Sequence, residues 1–296
     1  MRDALTLVVL AALWGASFLF MRVAAPAFGP FALVWLRLAL AGAILVPLIV
    51  WQGGAPAWRA NARPIFIVGV INSALPFCLI SWATLTLPAG IASVLNATTP
   101  LMTALWAMPL AGERLSAQRL AGLGLGLAGV AVLAMGKIDG SAAGVLPVLA
   151  MLAATASYGL AAHYARRELT GVPPLVVSGG SLASTSLPLA PLALWTWPAT
   201  MPGAIEWGVV LALAALSTAL AYLLYYRLIA SLGATRASAV TYLIPLFGVL
   251  WGAWLLGEPV GLSMLAGGAL ILAGVGFLQY KRLANVGRTG AEKAGS

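Results

Sequence analysis

The chain has 296 residues, of which 62% are hydrophobic and only 8% are charged. A soluble domain carries about 25% charged residues, so the composition excludes a soluble globular protein and indicates a membrane protein. The net charge of +9 comes from basic residues that stand singly between apolar runs, which excludes a nucleic-acid-binding patch and suits an orientation signal for membrane insertion.

The scarce reactive residues exclude several kinds of site. Cys78 is the only cysteine and His163 the only histidine, so an intrachain disulfide, a thiolate metal site and any site with two histidines are ruled out. The chain has no phosphate-binding loop, so ATP is not a direct energy source. An intramembrane enzyme would need a nucleophile–base pair or a metal cluster, which these residues do not supply. We expect neither an enzymatic activity nor a cofactor.

Ten apolar segments, separated by Pro- and Gly-containing breaks, are long enough to cross a bilayer, which takes roughly 20 residues each. The predicted spans are at about 4–25, 30–51, 64–86, 90–111, 117–136, 143–166, 173–196, 204–226, 236–256 and 260–281. The first run is too long for a signal peptide and lacks a clear cleavage site, so it is interpreted as a retained helix. Residues 286–296 are polar and Gly-rich, which predicts a disordered cytoplasmic tail.

The basic residues also predict the orientation of these spans. Ten spans put both termini on one side, and thirteen Lys and Arg residues fall on that side against two on the other. Cytoplasmic loops carry the excess of basic residues, so both termini are predicted to be cytoplasmic.

A repeat divides the chain into two halves. Residues 92–130 align without a gap with residues 237–275, and 17 of the 39 positions are identical, including Pro100 with Pro245 and Trp106 with Trp251. The predicted repeats occupy residues 1–136 and 143–281. Because each half holds five spans, an odd number, the second half enters the membrane upside down. Inverted repeats are typical of secondary transporters that alternate between two states, and a duplicated scaffold protein is the alternative.

Several motifs resemble those of a known family. Leu13-Trp14-Gly15-Ala16-Ser17-Phe18 is followed by Pro30 and by Arg37-Leu38-Ala39-Leu40-Ala41, and each half later has a Pro-Leu, a Trp six residues after that Pro, and a Gly-Glu. Their order resembles the EamA-type branch of the drug/metabolite transporter superfamily over about residues 4–281, and within it the YddG-like amino-acid exporters. The resemblance implies ten helices in two inverted five-helix repeats, and export of amino acids or other small metabolites across the bacterial inner membrane. Arg37 departs from the symmetry, because its counterpart in the second half is Leu182.

Polar and aromatic residues inside the spans predict the substrate pathway, because polar groups in a bilayer face the bundle interior or water. Asn amides cannot be satisfied by their own helix, so they are candidates to bind a zwitterion, whereas Ser and Thr often bond back to their own backbone. Aromatic rings suit aromatic or apolar amino acids and organic cations, with ordinary packing as the alternative. The predicted substrate-binding residues are Trp14, Asn72, Phe77, Ser81, Asn96, Tyr158, His163, Tyr222 and Tyr242.

Other residues have two readings each. Pro76, Pro100 and Pro245 lie inside spans and act either as hinges or as fixed kinks that open a cavity. His163 is a candidate proton carrier or a group that meets water or lipid headgroups, and no carboxylate at mid-membrane completes a proton relay. Arg37 either snorkels to the outer interface or, if buried, needs backbone carbonyls or a substrate anion as partners.

Two further features concern the helix ends and helix packing. Glu113 and Glu258 occupy equivalent turns and are predicted to cap the helix that follows each. Small residues in the fifth and tenth spans favour close packing, which either holds the repeats together or forms a homodimer.

The sequence therefore predicts an all-α polytopic membrane protein that exports small metabolites, above all aromatic and other neutral amino acids, by alternating access through a central cavity. Its predicted partners are a small-molecule substrate and the lipid bilayer, with no nucleic acid. A multidrug or organic-cation exporter, or a lipid-linked metabolite flippase of the same superfamily, is the alternative. A channel would differ by lacking saturable, stereoselective flux.

Overall fold

The structure, a computed structural model, describes residues 2–112, 116–135 and 142–294, and within these ranges it is helical without strands. Eight helices are long and apolar enough to cross a membrane, and two further apolar helices, Val240–Leu256 and Leu262–Leu278, are shorter. The ten are α1 Arg2–Phe28, α2 Pro30–Trp51, α3 Ala62–Ala83, α4 Ala89–Leu110, α5 Ala117–Met135, α6 Ala142–Glu168, α7 Pro174–Trp195, α8 Ala204–Leu232, α9 Val240–Leu256 and α10 Leu262–Ala294. The predicted all-α membrane fold is confirmed.

Equivalent contacts in the two halves follow the sequence repeat. Trp106 of α4 donates its indole N–H to the carbonyl of Ala156 in α6 at 2.8 Å, and Trp251 of α9 donates to the carbonyl of Ala12 in α1 at 3.0 Å. The ends of α4 and α9 also match, because Gly112 and Gly257 both adopt a left-handed conformation with φ near +63°, as glycines that terminate helices commonly do. In each half, the equivalent tryptophan of the fourth helix therefore binds the first helix of the other half. The junction between the predicted repeats, 136–141, lies outside the described residues.

Both halves contain a π-helical segment at the same position. Residues 70–74 of α3 and 215–220 of α8 are π-helical, and the repeat shift of 145 places the first segment on the second. A π-helical turn inserts an extra residue into the helix and is frequent at functional sites. The segments rotate the residues after them, so Phe77 and Tyr222, which are repeat partners, both face the interior.

The fourth helix of each half is interrupted, at different depths. In α4 the turn is at residues 97–98, between Ala89–Asn96 and Thr99–Ala111. In the second half a short helix, Ala234–Ala237, is followed by a turn at 238–239 and then by α9. The second turn corresponds to residues 93–94 of the first half, so the two interruptions are displaced by four residues, or one helical turn.

The three prolines predicted as hinges or kinks occupy different positions in these helices. Pro76 follows the π-helical segment of α3, and Pro100 lies in the first turn after the interruption of α4. The first turn of a helix needs no N–H from the residue there, so Pro100 begins its segment without bending it. Pro76 lies inside the continuous helix α3, and Pro245 lies inside α9, six residues after the nearest interruption.

The helices α5 and α10 form a glycine seam. A Cβ atom on Gly129 would lie 2.6 Å from the carbonyl oxygen of Gly267, and one on Gly122 would lie 2.7 Å from that of Gly274. The absence of side chains at these glycines lets the two backbones touch. The small residues predicted in the fifth and tenth spans thus pack within the chain. Beyond the seam, α10 continues to Ala294 without a proline and includes most of residues 286–296, for which the composition predicted disorder.

Candidate functional site

A cavity of about 290 Å³ lies where the two halves meet. It is bounded by α1, α2, α3, α4, α6, α8 and α9, so both repeats contribute to its wall. The lining residues are Trp14, Ser17, Phe18, Met21, Arg37, Asn72, Phe77, Ile80, Asn96, Tyr158, Ser217, Tyr222, Tyr225, Thr241 and Ile244. Two of them, Asn72 and Ser217, belong to the π-helical segments themselves.

Most of the predicted substrate-binding residues line this cavity. They are Trp14, Asn72, Phe77, Asn96, Tyr158 and Tyr222. Four pairs among the lining residues are related by the repeat shift of 145: Asn72 with Ser217, Phe77 with Tyr222, Ile80 with Tyr225, and Asn96 with Thr241. The cavity is therefore built from equivalent positions carrying different side chains.

The structure places the other three predicted residues elsewhere. Ser81, next to Ile80 in α3, is completely buried and does not line the cavity, and its hydroxyl has no hydrogen-bond partner among the described residues. His163 uses its Nε2 atom against the carbonyl oxygen of Thr103, at 2.9 Å, in the contact between α6 and α4. Tyr242 packs against the leucines of α4 and α5 and faces away from its neighbour Thr241, because adjacent residues of a helix point about 100° apart.

Arg37 is the cavity residue whose role the sequence left open. Only 4% of it is exposed, so it does not snorkel to an interface. Its Nε atom donates to the hydroxyl of Thr218 at 2.9 Å, and this hydroxyl donates its own proton to the carbonyl of Leu213 at 2.8 Å. Thr218 lies in the π-helical segment of α8, where the carbonyl five residues earlier comes within reach. The π-helical geometry therefore orients a lone pair of Thr218 towards Arg37.

The other contacts of Arg37 are with an aromatic ring and a thioether sulfur, which are uncharged. Its guanidinium carbon lies 3.6 Å from the centre of the Phe77 ring, and Nη1 lies 3.6 Å from the sulfur of Met21. Tyr158 and Tyr222 are its nearest titratable neighbours. Among the described residues, no carboxylate and no backbone carbonyl accepts a hydrogen bond from this side chain. The cavity thus carries a buried positive charge without a protein counter-ion.

A second unsatisfied group lies on the wall formed by α4. Asn96 is the last residue before the interruption at 97–98, and its buried side-chain oxygen Oδ1 has no hydrogen-bond partner in the part of the chain that the structure describes. Buried polar atoms are nearly always hydrogen-bonded, so an orphaned acceptor at a cavity suggests a missing donor. The sequence identified Asn96 for this reason, since the amide cannot be satisfied by its own helix.

Aromatic rings form most of the apolar surface around these polar groups. Trp14 and Tyr225 are in contact with ring centres 5.2 Å apart, and Tyr222 stacks on Tyr226 with centres 6.1 Å apart. Tyr225 was not among the predicted residues, although it lies three residues after Tyr222 on the same helix face. Such walls bind the flat or apolar part of a ligand, while a few polar groups fix its orientation.

At one end of the cavity, α9 packs against the first segment of α4. The carboxylate of Glu258 accepts the backbone N–H groups of Ala89 and Gly90 at 2.8 and 3.1 Å, and the hydroxyl of Ser93 lies against Gly248. Glu258 therefore caps α4, because the start of α4 lies directly beside the α9–α10 turn. The prediction that Glu258 caps the helix following it in the chain, α10, was wrong. Its repeat partner Glu113 lies outside the described residues.

Comparison with known proteins identifies the family. The model of the EamA-like transporter family matches residues 2–135 and 145–280, one match for each half. A solved crystal structure has the same fold, with a TM-score of 0.65 and 23% identity over 95% of this chain and 98% of that chain.

Relatives of similar length carry transporter names. An uncharacterized transporter of Bacillus subtilis is 27% identical over 95% of this chain and 92% of its own length. A probable terminal-alkyne amino-acid exporter of Streptantibioticus cattleyicolor is 28% identical, covering 94% of this chain and 93% of its own. A probable amino-acid metabolite efflux pump of Salmonella typhimurium is 25% identical over 93% of both. Together with the match in both halves, these relatives show that the chain is a multi-pass membrane protein of the EamA-like transporter family.

Proposed function

We propose that this transporter exports small metabolites, chiefly aromatic and other neutral amino acids, from the cytoplasm across a bacterial inner membrane, with both termini cytoplasmic. The observation that carries the proposal is the cavity between the two halves, whose wall combines aromatic rings with a few unsatisfied polar groups. Its volume of about 290 Å³ is at the lower end of small-molecule sites, which suits a metabolite more than a drug-sized molecule. The names of the two relatives described as exporting amino acids or their metabolites support the same substrate class.

The charge of the cavity argues against organic cations as substrates. A buried Arg37 repels cations, and no acidic side chain among the described residues lines the wall to offset its charge. A homodimer, if it forms, needs a surface other than the glycine faces of α5 and α10, because these faces pack on each other within the chain.

The proposal is tested with purified protein in liposomes. Liposomes loaded with unlabelled amino acid should accumulate labelled L-phenylalanine, L-methionine or L-threonine by exchange, saturably and with preference for the L form. Trp14→Ala removes a cavity ring and should reduce exchange at least tenfold, whereas Trp195→Ala removes a ring that is 89% exposed on α7 and should leave it unchanged. Repeating the uptake with a pH gradient measures coupling to protons.

Two outcomes would contradict the proposal. Flux without saturation or stereoselectivity would indicate a pore. Absence of exchange for every amino acid, in liposomes that contain folded protein, would redirect the search to lipids and organic cations.

A further inference from the structure

The hydrogen-bonding capacity of Arg37 exceeds what the protein supplies. A guanidinium has five N–H donors in a planar fork. One donor is used by Thr218, one faces the sulfur of Met21, and the described residues provide no hydrogen-bond acceptor for the others. Because the residue lines the cavity, these free donors are available to a ligand.

The protein contacts also leave the charge of Arg37 uncompensated. The hydroxyl of Thr218 is neutral, and the Phe77 ring offers only a cation–π contact. A buried charge is normally paired with an opposite charge, since isolated ions are strongly disfavoured away from water. A structural arginine that ties helices together would bond to backbone carbonyls, as Arg22 does with the carbonyls of Thr84 and Leu85, both at 2.7 Å. Arg37 makes no such bond among the described residues.

The orphaned oxygen of Asn96 supplies the complementary half of a site. Its Oδ1 atom accepts hydrogen bonds, lacks a donor, and belongs to a residue that lines the same cavity. An acceptor of this kind suits an ammonium group. The two unsatisfied groups come from different helices, α2 and α4, and have opposite hydrogen-bonding character.

We infer that Arg37 is the receptor for a substrate carboxylate and that Asn96 accepts the substrate ammonium group. This inference rests on the proposed function and narrows it to substrates whose carboxylate is required for binding, with the aromatic wall holding the side chain. A planar guanidinium binds a carboxylate through two parallel N–H···O bonds, which a lysine cannot reproduce. The site is asymmetric, because the repeat partner of Arg37 is Leu182, which is completely buried in an apolar cluster.

The test compares three probes of one shape: L-phenylalanine, 3-phenylpropionate, which lacks the ammonium group, and phenethylamine, which lacks the carboxylate. Each competes with a labelled amino acid that the wild type exchanges, and each is titrated against purified protein by intrinsic fluorescence and by thermal shift. Wild type should bind L-phenylalanine at least tenfold more tightly than phenethylamine. Arg37→Met should abolish this preference by weakening L-phenylalanine at least tenfold, without weakening phenethylamine.

Two further variants keep the test independent of folding. Arg37→Lys retains the charge but loses the planar fork, so it should bind L-phenylalanine with an intermediate affinity. Arg59→Met removes an exposed arginine outside the spans and should match wild type. Because Arg37→Met removes an unpaired buried charge, its melting temperature in the absence of ligand should equal or exceed that of wild type.

A third variant tests the ammonium site. Asn96→Leu should weaken the binding of L-phenylalanine but leave the binding of 3-phenylpropionate unchanged.

The outcomes separate the inference from the function on which it rests. If wild type exchanges amino acids and folded Arg37→Met binds L-phenylalanine as wild type does, the inference is overturned and the transport assignment stands. If wild type binds 3-phenylpropionate through Arg37 but exchanges no amino acid, the anion receptor stands and the amino-acid assignment fails. If wild type binds none of the three probes and exchanges no amino acid, both fail.

Discussion

The two halves of the molecule share a backbone plan but differ in the chemistry placed on it. Both have a π-helical segment at the same position of α3 and α8. In the second half this segment presents Thr218 to Arg37, whereas in the first half the equivalent residue is the buried Ser73 and the counterpart of Arg37 is Leu182. Duplication thus supplies a symmetric backbone frame, while a single charged residue makes the cavity asymmetric.

The halves also differ in conformation. The interruption of α4 lies one helical turn away from the equivalent interruption before α9. The first segment of α4 packs against α9 and is capped by Glu258, whereas its second segment packs against α6. In an inverted-repeat carrier, exchanging the conformations of the two halves produces the state that faces the opposite side. In this protein, the displaced interruptions are a conformational difference between the two halves.

The largest expected effect comes from adding the missing charge to the second half. Leu182→Arg places a cation in an apolar cluster, which costs about 2.5–3.5 kcal/mol for a charge at the centre of a membrane helix. We expect loss of most folded protein in size-exclusion chromatography, while Leu182→Met behaves as wild type. Equal yields of both variants would mean that the second half also accommodates a cation, and the asymmetry would not be structural.

The next effect concerns the seam that joins the halves. Gly129→Ala puts a methyl group 2.6 Å from the carbonyl oxygen of Gly267, so α5 and α10 must separate at a cost of about 1–3 kcal/mol. Gly124→Ala is the matched control on the same helix, because its methyl group meets no atom within 4 Å. Thermal denaturation in detergent should show a lower melting temperature only for Gly129→Ala. A similar loss in both variants would point to the helix itself and not to the seam.

A smaller effect is expected at the cap that Glu258 forms on α4. Glu258→Ala removes the acceptor for two N–H groups of α4, and loss of a helix cap costs about 0.5–2 kcal/mol. Hydrogen exchange of the peptide containing Ala89 and Gly90 should accelerate. Glu168→Ala breaks only an exposed ion pair with Arg167 and should change neither exchange there nor stability. Unchanged exchange in Glu258→Ala would show that α9 holds α4 without the cap.

The smallest effect is expected at the lone histidine. His163→Gln keeps a side-chain N–H that can donate to the carbonyl of Thr103, and the residue does not line the cavity. We expect exchange within about twofold of wild type at pH 6 and at pH 8, since groups without substrate contact contribute little to binding. A variant that loses the pH dependence of wild type would instead identify His163 as the proton carrier.

The spans could be predicted because the length of an apolar segment is a local property of the sequence. The repeat could be predicted because Pro100 and Trp106 recur at one fixed spacing, as Pro245 and Trp251. The six cavity residues found in advance, such as Asn96 and Tyr222, stand out because polar or aromatic side chains inside spans prefer the interior. The orientation of Arg37 could not be predicted, since it depends on Thr218, Phe77 and Met21 from three other helices. The π-helical segments have no sequence signal of their own, and they decide which faces of α3 and α8 point inward.

The buried guanidinium gives the transporter an electrical property. Arg37 is the eighth residue of α2, about 10 Å along the helix from its first residue at 1.5 Å per residue. A full elementary charge moved across a membrane potential of 100 mV changes in energy by about 2.3 kcal/mol, so a conformational change that carries Arg37 through a fifth of the field is biased by about 0.5 kcal/mol, roughly twofold. Membrane voltage favours whichever conformation holds Arg37 nearer the negative side. If the transporter carries zwitterions, as proposed, the substrate adds no net charge, and voltage acts equally on the empty and the loaded protein.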